Sequence, residues 1–246
     1  MTAVDFTGSN GESPSFFSSF IKTSQAEKKK DAVDTYVSAI KEIGGVLTIY
    51  DTDGCFPAYG FQGEYCFPLN GNEENPSVTG VQGMVDAFHQ ALQHVKLTGN
   101  TEIVPVIKRA ATIAKGPVAF GSIQKYLAMI ILTDGSFKDS KAIVEEMATV
   151  SALPISFVFI VVGEDSDGSN IKKFEALKKS CRTYTNRDMM QVIPMHSLKD
   201  MSSNARSFSI ARHMIKELPS QTVEYYTQLK IMPYQSDMGP CNLNHL

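Results

Sequence analysis

Two stretches of this chain leave few architectures open: YLAMIILTD at positions 126–134 and ISFVFIVVG at positions 155–163. Each is continuously apolar, yet about half the roughly 20 residues that a membrane helix requires. Apolar runs of this length, without polar alternation, read as strands buried on both faces, and such strands belong to a parallel sheet covered by helices on either side. The rest of the chain supplies those helices. Periodicity predicts a short strand at Thr2–Phe6, then a long helix over AEKKKDAVDTYVSAIKEIGGVLTIYD (Ala26–Asp51). Short strands follow at FPAYGF and EYCFPL, then helices at VTGVQGMVDAFHQALQHV (Val78–Val95) and EIVPVIKRAATIA (Glu102–Ala114). After YLAMIILTD come a helix at SKAIVEEMATVSA, the strand ISFVFIVVG, a helix at NIKKFEALKKS, a strand at MMQVIPM and a helix at NARSFSIARHMIKEL (Asn204–Leu218). The expected fold is a doubly wound α/β domain with a mostly parallel central sheet and helices on both faces.

No repeat or interdomain linker interrupts this pattern, so residues 1–234 are expected to form one domain, with residues 235–246 a loosely held tail. The first strand is short for a central one, which leads to the expectation that the chain is a piece of a longer protein. A net charge of -3 gives no electrostatic footprint for nucleic acid or an anionic membrane surface. Cys55, Cys66, Cys181 and Cys241 form no C-x-x-C pair and lack histidines at zinc spacing. Reduced thiols, no signal peptide and no membrane-length run fit a cytoplasmic protein. His89 and His94 are five apart and so miss the shared helix face that a metal pair needs.

In open α/β sheets ligands bind outside the carboxyl ends of the strands. Three loops bring oxygen donors to that edge. AVDFTGSN opens the chain, and in extended backbone Asp5, Thr7 and Ser9 fall on one side. Asp134 ends the run YLAMIILTD, and Thr101 stands where a helix begins. If the two strands are neighbours, two carboxylates and three hydroxyls meet in one small oxygen-rich cage that suits Mg²⁺ or Mn²⁺. Neutral hydroxyl ligands would leave such an ion attractive to a further carboxylate from a partner. Each residue also has an ordinary reading: Thr101 as a helix N-cap, Ser9 as a turn hydroxyl, Asp134-Gly135 as a turn after a strand.

DFTGSN, GNTEIVPVI, IILTDGS and ALPISFVFIVVG, together with YDTDGCFPAYGF, FPLNGNEENPSVTGVQGMVDAF and ELPSQTVEYY, resemble the copine-type von Willebrand factor A domain in order and spacing over nearly the whole chain. The resemblance implies a metal-ion-dependent adhesion site of the form D-x-S/T-x-S, a distant Thr and a later Asp. By position these fall on Asp5, Thr7 and Ser9, on Thr101, and on Asp134. It further implies one short antiparallel edge strand, a bound Mg²⁺ or Mn²⁺, and cation-dependent binding of intracellular proteins through an acidic residue that completes the metal site. Copines carry paired calcium-dependent lipid-binding domains before this domain, and related plant ligases carry a RING after it. Neither occurs in this sequence, so ubiquitin transfer is not implied, and membrane contact is expected only through lipid-binding domains of a longer protein.

A competing reading is enzymatic. VLTIYDTDG resembles the opening of haloacid-dehalogenase phosphatases, with Asp51 as nucleophile, Asp53 as general acid, and Asp165 and Asp167 as an acidic metal loop. Against it, the helical pattern runs directly into LTIY, and Cys55 stands where Thr or Val is usual. GVQGMV lacks the Lys-Ser/Thr of a phosphate-binding loop.

Overall fold

The two continuous apolar runs are adjacent central strands of a 7-stranded sheet. In the computed structural model of the chain the described residues are 1–7, 23–50, 53–95, 101–115, 125–162, 168–198 and 200–232. The elements in chain order are β1 (Thr2–Asp5), α1 (Thr23–Tyr50), β2 (Cys55–Gln62), β3 (Tyr65–Pro68), β4 (Ser77–Thr79), α2 (Gly80–His94), α3 (Val104–Ala114) and β5 (Leu127–Thr133). They continue with α4 (Ser140–Thr149), β6 (Ile155–Val161), α5 (Ser169–Thr185), β7 (Met190–Pro194), a 3-10 turn at Met195–Leu198, and α6 (Ser203–Gln228). The sheet order is β3-β2-β1-β5-β6-β7, with β4 pairing on β2. β2, β1, β5, β6 and β7 run parallel, and β3 and β4 are antiparallel to β2. This is the mostly parallel α/β architecture, with an antiparallel edge strand, that the sequence implies.

Strand alternation sorts the core into two layers. Ile130 and Leu132 of β5 and Val158 and Ile160 of β6 face α1, α2 and α6, where Ile40, Ile43, Phe88, Ile210 and Met214 meet them. Met129 and Ile131, with Phe157 and Phe159, face α3, α4 and α5, where Ile107, Met147, Phe174 and Leu177 close the other layer. Every residue of β6 is buried, which is why the run is apolar except for Ser156, whose hydroxyl pairs with that of Tyr126.

Three expectations are corrected. The helix expected from Val78 begins instead at Gly80, because Ser77–Thr79 pairs antiparallel with Cys55–Pro57 and Gly80 turns the chain at φ +64°. The helix expected from Glu102 begins at Val104, with Pro105 in its first turn, where a missing N–H costs nothing. The last helix does not stop at Leu218 but carries Pro219 inside it and runs on to Gln228. An interior proline costs about 3 kcal/mol. Tertiary contacts beyond it offset that: Tyr225 packs on Tyr126, its hydroxyl donates to the Ala152 carbonyl, and the Tyr226 hydroxyl donates to the Lys125 carbonyl. The tail expected from Gln235 lies outside the described residues. Among the described residues no helix is long and apolar enough to cross a membrane.

Candidate metal centre

The winding of the sheet reverses at β1. The chain leaves β1 for β2 on one side and later returns to β5 on the other, so the crevice at the carboxyl ends of β1 and β5 is the topological switch point. Asp5 is the last residue of β1, and Asp134 follows the last residue of β5. The two acids predicted from separate parts of the sequence therefore stand on neighbouring strands.

The Asp5 carboxylate, only 6% exposed, collects hydroxyls. Its Oδ1 accepts from the Thr7 amide at 2.9 Å and the Thr7 hydroxyl at 2.6 Å. Its Oδ2 accepts from the Thr133 hydroxyl at 2.7 Å and the Thr101 hydroxyl at 3.2 Å. The Thr7 and Thr101 hydroxyl oxygens lie 2.7 Å apart. A hydroxyl has one proton, and that of Thr7 goes to Asp5, so the proton of Thr101 is shared between Asp5 and Thr7. On the facing loop, Asp134 Oδ1 accepts from the Ser136 amide at 3.0 Å and the Ser136 hydroxyl at 2.7 Å. Asn170, at the start of α5, donates to the Asp134 carbonyl. Gly135 between them has φ +91°, and a Cβ there would lie 3.0 Å from Asn170, so the turn requires glycine.

Opposing effects act on Asp5. Burial, then the neighbouring Asp134 carboxylate, raise its pKa, and the hydrogen bonds from Thr7 and Thr133 lower it; the net result is a rise from 3.8 to about 6. Desolvation and like charge thus outweigh the donated hydrogen bonds. Among the described residues no lysine, arginine or histidine pairs with Asp5. A buried carboxylate with a like-charged neighbour and an all-oxygen surround of neutral hydroxyls is a donor set that fits a small hard divalent cation. It is not a nitrogen or sulfur site, and among the described residues no group of three or more His, Cys, Asp or Glu is gathered to hold a metal.

Asp5, Thr7 and Thr101 are brought together, with Asp134 close enough to perturb Asp5. Ser9 lies outside the described residues. Thr101 does not cap α3: the N-cap position is Ile103, with no side-chain cap bond, and Thr101 is bridged to Phe137 on the Asp134 loop. Sequence reading missed Thr133, whose hydroxyl donates to Asp5 while accepting from the Gly135 amide. Its place immediately before Asp134 was a usable signal, because a strand's last side chain can face the neighbouring strand's end. It also missed Asn170 at the start of α5, which donates to the Asp134 carbonyl.

Among the described residues nothing favours the phosphatase reading. The residues before Asp51 are helical through Tyr50, where a strand was needed. Asp51, Asp165 and Asp167 lie outside the described residues. Asp53 accepts from the Cys55 amide in an exposed turn. Burial pushes the Cys66 and Cys181 thiols up to about 11, so neither is a ready nucleophile.

A family model described as Copine matches residues 27–234. Protein BONZAI 1 of Arabidopsis thaliana is 33% identical over 236 residues, covering 92% of this chain and 39% of that protein. Protein BONZAI 2 of the same plant is 34% identical over 247 residues, covering 95% of this chain and 40% of that protein. The chain therefore spans about two fifths of the length of these relatives.

Proposed function

The chain belongs to the copine family, and from that premise we propose that it is a divalent-cation-dependent protein-binding domain acting without catalysis. Asp5, Thr7, Ser9, Thr101 and Asp134 would hold one Mg²⁺ or Mn²⁺, and the partners would be intracellular proteins presenting an acidic side chain. The observation that carries this reading is the buried Asp5 carboxylate, drawn up beside Asp134 with the hydroxyls of Thr7 and Thr101 around it.

When bound, the cation would supply a coordination position open to a partner's carboxylate. The chain's own residues do the rest. Asp5 contributes a charge already desolvated, so no further burial cost arises when a partner covers it. Thr7 and Thr101 contribute oxygen without charge, which keeps the count of anionic ligands low. Thr133 and Ser136 fix the direction of the two carboxylates by donating to them. Membrane contact, on this reading, belongs to lipid-binding domains of a longer protein.

The test is magnesium-dependent capture and melting of wild type and Asp134→Ala. A ligand at a hundredfold excess over its Kd stabilises the native state by about 2.7 kcal/mol, or very roughly 5–10 °C for a domain of this size. Wild type should show such a rise with Mg²⁺, and Asp134→Ala should lose both the rise and the partner capture. Equal shifts in both proteins would place the metal elsewhere. Magnesium-dependent hydrolysis of an aryl phosphate, abolished in Asp51→Asn, would overturn the non-catalytic reading.

A further inference from the structure

The two oxygens of the Asp5 carboxylate are governed from different places. Oδ1 is held locally, by the amide and hydroxyl of Thr7. Oδ2 is held from a distance, by the hydroxyls of Thr133 and Thr101. The Thr133 hydroxyl has one proton, which goes to Oδ2 at 2.7 Å, and its oxygen accepts the Gly135 amide at 3.2 Å. That amide shares a peptide plane with the Asp134 carbonyl. The carbonyl in turn accepts from Asn170 Nδ2 at 3.2 Å. One hydrogen-bonded chain therefore runs from Asn170, through the 134–135 peptide and the Thr133 hydroxyl, to Oδ2 of Asp5. Every donor in it points the same way, so each bond polarises the next. The peptide is fitted as well as bonded: a Cβ on Gly135 would lie 3.0 Å from the Asn170 side chain and 3.3 Å from that of Val161.

Asn170 stands in the first turn of α5, and Phe174, one turn on, shares its face. Phe174 is fully buried and meets Phe137 edge-on with centroids 4.8 Å apart, and Phe159 of β6 at 5.1 Å. Phe137 is bridged to Thr101, the other donor to Oδ2. One face of α5 thus holds the Asp134 loop at two points, and both lead to the same oxygen of Asp5. We propose that Asn170 is a positioning residue for the metal centre: it clamps the 134–135 peptide from α5 and, through Thr133, sets the direction of Asp5 Oδ2. This role rests on the metal-binding reading given above. The bond to the Asp134 carbonyl orients the loop that carries one acid, and the chain beyond it orients the other. A single side chain outside the motif then fixes both carboxylates, which is the preorganisation a metal site needs.

Asn170→Leu keeps the bulk and removes the donor, and Thr133→Val keeps the shape and removes the hydroxyl. Wild type, both single variants and the double variant are compared as full chains at matched folded fraction. Amide hydrogen exchange is followed by NMR in chelator, and Mg²⁺ affinity by calorimetric titration. Both single variants should speed exchange at Gly135, the Asn170 variant included, although its lost bond is to the Asp134 carbonyl. Each should lower Mg²⁺ affinity by about tenfold. The double variant should lose clearly less than the hundredfold that independent effects would give, because a chain already broken is not broken again. Should Thr133→Val fail to fold, exchange and titration of Asn170→Leu decide the role. Unaltered Gly135 exchange in Asn170→Leu, or an affinity equal to wild type, overturns the role assigned to Asn170. A full hundredfold loss in the double variant overturns the chain, since it makes the two residues separate supports. A wild type that takes up no Mg²⁺ overturns the metal reading and this role with it, and exchange in chelator, which needs no metal, tells that failure from the others.

Discussion

Acidification should stabilise the metal-free domain through Asp5, the opposite of what a well-paired carboxylate does. The carboxyl has a folded pKa of about 6 against 3.8 as a model value, raised by burial first and by Asp134 second. The native state therefore holds the Asp5 proton more tightly than the unfolded chain does. The resulting stabilisation is complete below 3.8 and is lost as pH rises through about 6. The gap of roughly two pH units corresponds to about 3 kcal/mol in full, of which about 1 kcal/mol appears between pH 7 and pH 5. In a domain of this size that is about 2–4 °C in melting temperature. Asp5→Asn keeps the shape and cannot titrate, so the difference between wild type and variant isolates this carboxyl from other titrating groups. Scanning calorimetry in chelator should show wild type gaining about 2–4 °C on the variant as pH falls from 7 to 5. In saturating Mg²⁺ the trend should reverse, because the metal binds the ionised carboxylate and protons compete with it. Parallel pH profiles for the two proteins in chelator would refute the claim that Asp5 is a desolvated, under-compensated charge.

Thr101 and Arg187 separate the centre from the scaffold. Thr101→Val should weaken Mg²⁺ binding by roughly fivefold, the equivalent of about 1 kcal/mol for one lost hydroxyl interaction, whereas Thr101→Ser should bind like wild type; calorimetric titration of both variants checks this. Arg187, 2% exposed, donates to the Ser151, Leu153 and Ile155 carbonyls and to the Tyr126 hydroxyl at the amino ends of the strands. Arg187→Met should cost at least about 3 kcal/mol in urea unfolding through those orphaned acceptors, with Mg²⁺ affinity of the folded fraction unchanged.

Sheet and site were legible to different depths, and the difference is physical. β5 and β6 announced themselves because burial on both faces leaves only Thr133 and Ser156 as polar positions in the two runs, a constraint visible without any partner. Asp5 and Thr7 were legible because the two-residue period of extended backbone puts both on one side, and the Thr7 hydroxyl does reach Asp5 at 2.6 Å. β4 was not, since three residues carry no period, and Val78-Thr79 reads equally well as the lead into the helix that follows. The part of α6 beyond Pro219 was not, because local propensity ends the helix there while the tyrosines that carry it onward act on Tyr126 and Lys125, about a hundred positions away in the chain.

Asn170 marks the limit of motif reading most sharply. A spacing rule names ligands because ligands must share one strand end, one turn or one loop. A residue that holds a ligand's backbone can approach from any element packed against it, and Asn170 arrives from α5 with no fixed offset to Asp134. The same holds for the electrostatics. The spacing D-x-T states that a carboxylate and a hydroxyl face one another, but not whether the carboxylate is solvated. That depends on the fold, which brings Thr133 from β5 and Thr101 from a distant loop onto Asp5 and leaves only 6% of it exposed. Burial converts an ordinary acid into one that strongly favours compensation by a cation. The sequence therefore specifies which oxygens meet, and the burial that the fold imposes sets how strongly they favour a cation.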